Sequence, residues 1–420
     1  MKKEIYEQIK QKANYCLNCK NPLCIKGCPL ENNIPSFIKA IKEKNFKEAY
    51  EILSETTILQ PICGIICPHE KQCQGSCIRG IKENPVQIGD LEAFVGEMAL
   101  KNGWYKKEIV KKSDKKIAII GAGPAGITCG AFLAKKGYDI TIYEKHDKLG
   151  GLLVHGIPNF RLKREIVEQW VNQILSFGIK VEYNKILGEN LHIEYLKQKY
   201  DSIFISIGAN KSVNLDIEGE NIQGVYGANE LLEVNNHPDY SGKIVAVIGG
   251  GNVALDTART INKLDAKKVY IIYRRAEKQM PAETKEIQEA KKEGIEFLFQ
   301  NNIVKIIGDD KVKAIELIKT KLLKKEGEDR EVPIDIENSN YELEVDYVIK
   351  AIGSEPERDD IYGDIVLNKS NYIEINENYR TSNQKIFAGG DIVGSKATVA
   401  YSARAGREAA KRIDEFLSKM

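Results

Sequence analysis

The sequence lacks several features that would place it in a common functional class. No apolar run in its 420 residues approaches the roughly 20 residues that a membrane-spanning helix requires, and the charged start MKKEIYEQIKQK is unlike a signal peptide. The 62 basic and 60 acidic residues leave a net charge of only +2, so neither nucleic acid nor an anionic membrane is indicated as a partner. We therefore expect a cytoplasmic protein that binds neither.

Cysteine is also scarce, but its distribution is informative. Eight of the nine cysteines fall between Cys16 and Cys77. In a reducing compartment such a group usually binds metal or carries out redox chemistry instead of forming disulfides. Cys129 is the exception, and because it lies among small apolar residues of a predicted helix, we expect it to serve in packing.

The order of predicted elements indicates several domains, as the length of the chain also does. Apolar residues recur at helical spacing up to about residue 112. A strand, a glycine turn, a helix and a second strand then follow one another twice, at 116–145 and 243–275. Strand-like alternation follows at 295–350, and a last helix is predicted at about 398–417. The predicted fold is α/β, with two Rossmann-like nucleotide-binding domains, one inserted in the other, preceded by an all-α domain.

The first glycine turn has the composition of a dinucleotide site. A G-x-G-x-x-G turn between a buried strand and a helix lets a pyrophosphate approach backbone N–H groups and the positive end of the helix dipole. Glu144 ends the next predicted strand, where it can accept hydrogen bonds from ribose hydroxyls, and a distant Gly390-Asp391 pair could reach the rest of a long cofactor. This combination favours FAD over a plain NAD site. The residues concerned are Gly121, Gly123, Pro124, Ala125, Gly126, Glu144, Lys145, Gly390 and Asp391.

The second turn indicates NADPH. It comprises Gly249, Gly250, Gly251, Asn252 and Val253, and it has alanine where the last glycine would stand, which is a permitted variant. Arg274 takes the place that Glu144 has in the first unit, and Arg275 follows it. Guanidinium groups there would bind a 2′-phosphate, which a carboxylate would repel. The alternative is a pair of solvated arginines at the end of a strand.

The amino-terminal cysteines are spaced for iron–sulfur clusters. They run Cys16-x2-Cys19-x4-Cys24-x3-Cys28-Pro and Cys63-x3-Cys67-Pro-x5-Cys73-x3-Cys77. Such spacings hold thiolates around a cubane, and eight thiolates suffice for two 4Fe–4S clusters. Four-cysteine zinc sites remain the alternative, although a flavin that accepts a hydride needs one-electron outlets. Residues 150–164 and 241–345 contain no cysteine, which argues against a disulfide reductase.

With these motifs in hand, the chain resembles the glutamate synthase small (beta) subunit family of NADPH-dependent oxidoreductases over almost its whole length. Relatives are the electron-input half of dihydropyrimidine dehydrogenase and the large subunit of the NADH-dependent ferredoxin:NADP oxidoreductase. The resemblance rests on the two cysteine quartets and on GAGPAG, GGLLVHGIPNFRL (150–162), GGGNVALD, YRRAEKQMP (273–281) and FAGGDIVGSKATVAYSARAGREAA (387–410).

The resemblance implies an interleaved set of cluster ligands. One 4Fe–4S cluster would take Cys16, Cys19, Cys24 and Cys77. The other would take Cys28, Cys67, Cys73 and Glu92, which leaves Cys63 as a spare. Whether Glu92 or Cys63 completes the second cluster stays open, because Glu92 could instead be a solvated charge on a helix. The implied domains are iron–sulfur (1–112), FAD (113–240 and 346–420) and NADPH (241–345).

The resemblance also implies further FAD contacts and a partner. Matched positions are Gly151, Leu152 and Arg161, with Thr398 and Val399 starting the last helix against the flavin. No catalytic side chain is expected, since hydride transfer depends on stacking the two cofactors. The expected acceptor is a second redox subunit, either the glutamate synthase large subunit or the corresponding partner of a pyrimidine dehydrogenase or a bifurcating ferredoxin:NADP oxidoreductase. The alternative from a different functional class is a redox sensor that does not turn over NADPH.

Overall fold

The computed structural model describes residues 3–106, 110–234, 236–324, 331–357 and 362–420. It divides into two compact units. The first consists of the described residues of Met1–Val154, Asn159–Ala209 and Arg358–Met420, and the second of His155–Pro158 and Asn210–Glu357. The chain thus leaves the first unit and returns to it, as expected for one domain inserted in another. Of the predicted helical domain at 1–112, residues 1–2 and 107–109 lie outside the described part.

The amino-terminal part of the first unit is helical, as predicted. Its helices are α1 (Lys3–Asn14), α2 (Leu23–Gly27), α3 (Ile34–Lys42), α4 (Phe46–Ser54), α5 (Gln60–Ile66) and α6 (Ile88–Asn102), with 3-10 turns at His69–Lys71 and Ile78–Ile81. Glycines bring α5 and α6 into backbone contact, because a Cβ on Gly64 would lie 2.2 Å from the nitrogen of Ala93. This contact places Cys63 of α5 near Glu92 of α6.

The rest of the first unit is a parallel sheet with helices. Its strands are β1 (Lys116–Ile120), β2 (Asp139–Tyr143), β3 (Lys180–Glu182), β4 (Ser202–Ile205) and β16 (Ile386–Ala388), in the order β16-β4-β1-β2-β3. Its helices are α7 (Pro124–Lys135), α8 (Leu152–His155), α9 (Arg164–Leu175), α10 (Ile193–Lys199) and α14 (Val399–Leu417). The strand β16 pairs with β4, so the returning chain completes the sheet.

The helical part is anchored to this sheet layer by buried contacts. The indole of Trp170, a fully buried residue of α9, donates to the carbonyl of Ile58 at 2.6 Å. Gln173, one turn further along α9, donates to the carbonyl of Leu100 at 2.7 Å. Among the helices of the described ranges, none is both long and apolar enough to cross a lipid bilayer.

The second unit contains the second nucleotide-binding sheet. Its parallel strands β6 (Val225–Gly227), β7 (Ile244–Ile248), β8 (Lys268–Tyr273), β9 (Glu296–Phe299) and β14 (Tyr347–Lys350) have the order β6-β14-β7-β8-β9. Helices α11 (Ala228–Val234), α12 (Asn252–Asn262) and α13 (Thr284–Lys292) accompany it. The remaining strands are antiparallel: β10 (Asn301–Ile307), β11 (Ala314–Leu323), β12 (Val332–Asp335) and β13 (Tyr341–Glu344), with β5 (Lys211–Ser212) paired to β15 (Ser354–Glu355).

The observed exchange points between the units differ from the boundaries expected at 240/241 and 345/346. The chain crosses at 209/210 and 357/358. The reason is sheet pairing: β14 lies between β6 and β7 and hydrogen bonds to both, so the flanking segments belong to the second sheet. Short strands such as β6 gave no periodic signal in the sequence.

Candidate functional site

The first glycine turn is tightly closed on one side and open on the other. Gly121 has φ +95°, and a Cβ on Gly126 would lie 1.9 Å from the carbonyl oxygen of Gly121. Neither position can therefore carry a side chain without moving the backbone. A Cβ on Gly123, at the start of α7, would meet no atom of the described residues within 4 Å. The open side is where a pyrophosphate could approach the first N–H groups of α7.

Glu144, at the end of β2, is held beside this turn by two backbone donors. The residue is only 3% exposed. Its Oε2 accepts from the N–H of Ala122 at 2.8 Å, and its Oε1 accepts from the N–H of His146 at 3.0 Å. Each oxygen keeps a second lone pair, which suits the ribose hydroxyls of a dinucleotide.

The returning chain supplies the other side of the same site. Gly390 has φ +84°, and a Cβ there would lie 3.1 Å from the Cβ of Ala125, so Asp391 lies beside the start of α7. Ser402 of α14 donates to Asp391 Oδ1 at 3.1 Å. Burial raises the pKa of Asp391 to about 6, and the Ser402 hydrogen bond opposes this shift. Thr398 caps α14 by accepting from the N–H of Tyr401 at 3.4 Å.

The loop before α8 closes over the turn, as its glycines allow. Gly150 donates to the carbonyl of Ala122 at 2.9 Å, and a Cβ on Gly151 would lie 2.9 Å from the Cα of Gly123. Leu152 begins α8, Lys145 directly follows Glu144, and Arg161 lies between α8 and α9. The contribution of these three residues to cofactor binding stays a prediction.

The second turn repeats this design in the second unit. A Cβ on Gly249 would lie 2.2 Å from the carbonyl oxygen of Ala351, whereas the nearest atom to a Cβ on Gly251 is 4.0 Å away. The ring of Tyr273, at the end of β8, lies against Gly250, which brings the following Arg274 and Arg275 to the turn.

Arg274 is exposed, and the buried Nε of Arg275 has no hydrogen-bond partner among the described residues. An unpartnered guanidinium N–H suits a phosphate ligand. Asn252 and Val253 begin α12, and Asn252 Oδ1 accepts from the N–H of Glu283 at 3.1 Å.

The cysteines form two groups that do not follow their order in the sequence. Four of them, Cys16, Cys19, Cys24 and Cys77, line one pocket of about 400 Å³, a volume that includes its opening to solvent. Burial raises the pKa of Cys24 to about 11, and charge on Cys77 and Cys16 adds to the shift. We call these four residues the first thiol group.

The second thiol group, as we use the name, has five members. They are the cysteines Cys28, Cys63, Cys67 and Cys73 and the acidic residue Glu92. Burial raises the pKa of Cys28 to about 12, with Glu92 and Cys67 contributing. Burial also raises the pKa of the Cys73 thiol, and negative charge on Cys28, Glu92 and Cys67 adds to the shift. Glu92 is 5% exposed, so it is not a solvated charge on a helix, and burial raises its pKa to about 8.

The chemistry of both groups suits an iron–sulfur cluster. Thiolates that are buried together repel one another, so they require cations to remain deprotonated. Among the described residues, no three His, Cys, Asp or Glu side chains are arranged to hold one metal ion. A 4Fe–4S cubane requires a different arrangement of ligands, because each of its four ligands binds a separate iron. Cys63 belongs to the second group as a fifth member, and the structure leaves the choice between it and Glu92 open.

No motif in the sequence indicated the residues that join the second thiol group to α14. Asn32 and Thr56 belong to none of the recognised motifs, yet both hydrogen bond within this region. Arg404 and Arg407 fall inside the motif at 387–410, but neither is among the residues of that motif predicted to bind a cofactor. The signal that was available was their spacing, since residues three apart share one face of a helix.

Fold and site together define a pyridine-nucleotide-dependent flavoprotein with an attached iron–sulfur domain. Residues 115–408 match the family model for pyridine nucleotide-disulphide oxidoreductase, and residues 1–104 match the model for dihydropyrimidine dehydrogenase domain II, 4Fe-4S cluster. The chain is 34% identical to the glutamate synthase [NADPH] small chain of Escherichia coli, over 99% of this chain and 93% of that protein. It belongs to the glutamate synthase small chain family, and it is an NADPH-dependent FAD and iron–sulfur oxidoreductase.

Two further similarities define the range of this architecture. The chain is 32% identical to the NADP(+)-dependent formate dehydrogenase subunit beta of Moorella thermoacetica, over 94% of this chain and 60% of that protein. The fold is similar to that of Mycobacterium tuberculosis FprA in complex with NADPH, with a TM-score of 0.65 and 20% identity over 73% of this chain and 85% of that chain. The expected fold class is confirmed, and the two family models with the small-chain relatives confirm FAD, NADPH and iron–sulfur as the cofactors; the number of clusters stays a prediction.

Proposed function

We propose that this chain takes a hydride from NADPH and delivers single electrons, through two 4Fe–4S clusters, to the large subunit of a glutamate synthase. The observation that carries the proposal is the presence of two separate thiol groups in the unit that also holds the FAD-type site. When bound, FAD supplies the conversion from two-electron to one-electron transfer. The chain's own residues bind and orient the cofactors.

The first thiol group supplies all four ligands of one cluster in this proposal. Cys28, Cys67 and Cys73 supply three ligands of the other, and Glu92 supplies the fourth. Support for Glu92 comes from its burial beside these cysteines, because a buried carboxylate requires a counter-charge. A carboxylate is a harder and more anionic ligand than glutamine, so it should lower the reduction potential of that cluster.

Cofactor binding is assigned to the two glycine turns. Glu144 and Asp391 hold the hydroxyl groups of FAD, and Lys145, Gly151, Leu152 and Arg161 add contacts from neighbouring segments. The amino terminus of α14, at Thr398 and Val399, stabilises the negative charge that the reduced flavin gains. Arg274 and Arg275 bind the 2′-phosphate and so select NADPH.

Electrons are proposed to leave from the first thiol group, because this group lies at the surface. Three residues that line its pocket, Leu17, Leu23 and Ile78, are each about half exposed. Two exposed lysines lie near these residues in the sequence, Lys20 three residues after Leu17 and Lys26 three residues after Leu23. An apolar centre with a basic rim suits a redox protein whose own centre is surrounded by carboxylates, since opposite charges speed encounter.

A second acceptor is favoured by one comparison. The Moorella protein, 32% identical to this chain, is named as a subunit of an NADP(+)-dependent formate dehydrogenase, so the partner of this chain could also be another subunit of such an enzyme. Capture of the natural partner by a tagged form of this chain distinguishes the alternatives. Recovery of a glutamate synthase large subunit supports the proposal, and stable association with a different reductase overturns the assignment of the partner only.

The electron route is tested by anaerobic stopped-flow absorption with Cys77→Ser and, as matched control, Cys129→Ser. Cys77 belongs to the first thiol group, whereas Cys129 is a buried packing residue of α7. With Cys77→Ser, NADPH should still bleach the flavin while electron delivery to an acceptor falls sharply. The control should retain both steps. A wild-type protein whose flavin NADPH does not bleach would refute the enzymatic function.

A further inference from the structure

The buried side chain of Asn32 bridges two residues that lie far apart in the sequence. Asn32 is 1% exposed. Its Nδ2 donates to Glu92 Oε1 at 3.2 Å, and its Oδ1 accepts from the hydroxyl of Thr56 at 2.6 Å. As a ligand of a cluster Glu92 would be ionised, and an ionised carboxylate can only accept hydrogen bonds. Nδ2 must therefore face Glu92, Oδ1 must face Thr56, and the Thr56 hydroxyl must donate.

The backbone around Asn32 faces the same thiol group. The N–H groups of Asn32 and Leu30 hydrogen bond to the sulfur of Cys28, which opposes the effect of burial on the pKa of that thiol. Asn32 thus contacts two of the proposed ligands of the second cluster, one through its backbone and one through its side chain. No other polar partner of Glu92 is seen in the described part of the chain.

This bridge is attached to the helix that begins at the flavin site. Arg407 Nη1 of α14 donates to the carbonyl of Leu30 at 2.8 Å and to that of Thr56 at 2.9 Å. Arg404 adds a longer bond to the carbonyl of Pro29 at 3.3 Å. Arg407 also pairs with Glu408 at 2.9 Å. One guanidinium therefore holds both backbone segments from which Asn32 and Thr56 project.

We propose that Asn32 is the positioning residue that aims the Glu92 carboxylate at the second cluster, and that Thr56 and Arg407 fix Asn32 in place. This inference rests on the ligand set proposed above. A donor on the carboxylate withdraws negative charge from the ligand, and outer hydrogen bonds of this kind orient ligands and tune the metal. Asn32 should thus raise the reduction potential of the second cluster relative to a carboxylate without a donor.

The test uses Asn32→Leu, which keeps the branched arrangement of heavy atoms and has no donor, in the full chain with its cofactors. Electron paramagnetic resonance of the reduced protein and a redox titration follow each cluster separately. We expect a changed signal and a lower midpoint potential, or loss of iron, for the second cluster only. Thr56→Val should act in the same direction, whereas Thr56→Ser, which keeps the hydroxyl, should give the wild-type signal.

Two outcomes separate failure of this inference from failure of the ligand set. If Glu92→Ala alters the second cluster while Asn32→Leu and Thr56→Val leave its signal and potential unchanged, the positioning role is refuted and Glu92 remains a ligand. If Glu92→Ala leaves both clusters unchanged, the proposed ligand set is wrong. Should Asn32→Leu fail to fold, the Thr56→Val and Thr56→Ser pair decides the question alone.

Discussion

Replacing Glu144 by glutamine should weaken FAD binding through a mismatch that the structure makes explicit. The carboxylate accepts from the N–H groups of Ala122 and His146, one on each oxygen. A glutamine side chain has only one acceptor atom, so its NH2 group must face one of these two backbone N–H groups, donor to donor. An unpaired buried donor costs about 1–3 kcal/mol.

The expected loss of FAD affinity follows from the hydrogen bonds to the cofactor. A hydrogen bond to a charged group is worth roughly 1.5–3 kcal/mol, and each 1.4 kcal/mol corresponds to a factor of ten in Kd. Losing one charged acceptor for a ribose hydroxyl should therefore raise the Kd for FAD roughly 10- to 150-fold. The assay is recovery of flavin absorbance and quenching of FAD fluorescence on titrating flavin-free protein.

The matched control is Glu182→Gln on the neighbouring strand β3. Residue 182 pairs with Tyr143 in the sheet, but its own side chain is exposed. Its replacement removes the same charge from nearly the same place without removing an acceptor from the turn. A change of less than about threefold for Glu144→Gln, or an equal change for both variants, would show that the carboxylate is not a specific FAD ligand.

Three further perturbations test other parts of the structure. Arg274→Glu should raise the KM for NADPH far more than that for NADH, and equal losses in steady-state kinetics would mean that the 2′-phosphate binds elsewhere. Gly406→Ala should destabilise the first unit by about 1–3 kcal/mol in urea unfolding, because the new Cβ would lie 2.1 Å from the carbonyl oxygen of Ala125; unchanged stability would refute close packing of α14 on α7. The hydrogen bond from Arg259 lowers the pKa of Glu293 in the folded protein below its ordinary value of 4.5. The stability that ionised Glu293 contributes is therefore present above pH 4.5 and is lost as pH falls through the pKa of the folded state. Wild type should thus exceed Glu293→Gln in free energy of unfolding at pH 7, and the difference should shrink below pH 4.5; a difference independent of pH would contradict this.

The elements that repeat a strong local pattern could be predicted from the sequence. Buried strands such as Ile117–Ile120 are continuous apolar runs, and a glycine turn after such a strand has few other uses. The same reasoning found both nucleotide sites and the terminal helix. It placed the domain boundaries elsewhere than the points where the chain passes between the two compact units, because β6 and β14 are three and four residues long and join the second sheet only through pairing, β14 with β7 and β6 with β14.

The grouping of the cysteines shows a different limit. Spacing alone assigned the thiols to two consecutive quartets, and only the resemblance implied an interleaved arrangement. Physically, Cys77 joins the first thiol group because the chain from Cys67 folds back through the 3-10 turn at His69–Lys71, and no local signal encodes that return. Asn32 and Thr56 were missed for the same reason, since their partners lie 60 and 24 residues away in sequence.

The helix α14 suggests why the second thiol group, and not the first, should receive electrons from the flavin. Its amino terminus at Val399 lies at the FAD-type site, and Arg407 holds the loops of the second thiol group eight residues later. At 1.5 Å per residue these points are about 12 Å apart along the helix. Because α14 also packs directly on α7 at Gly406 and Ala125, this spacing cannot change without disturbing the glycine turn. We infer that the route runs from the flavin to the second thiol group and then to the first, which opens to solvent. Loss of the second cluster should accordingly leave the first oxidised when NADPH has bleached the flavin, and rapid reduction of the first cluster in such a variant would reverse the order.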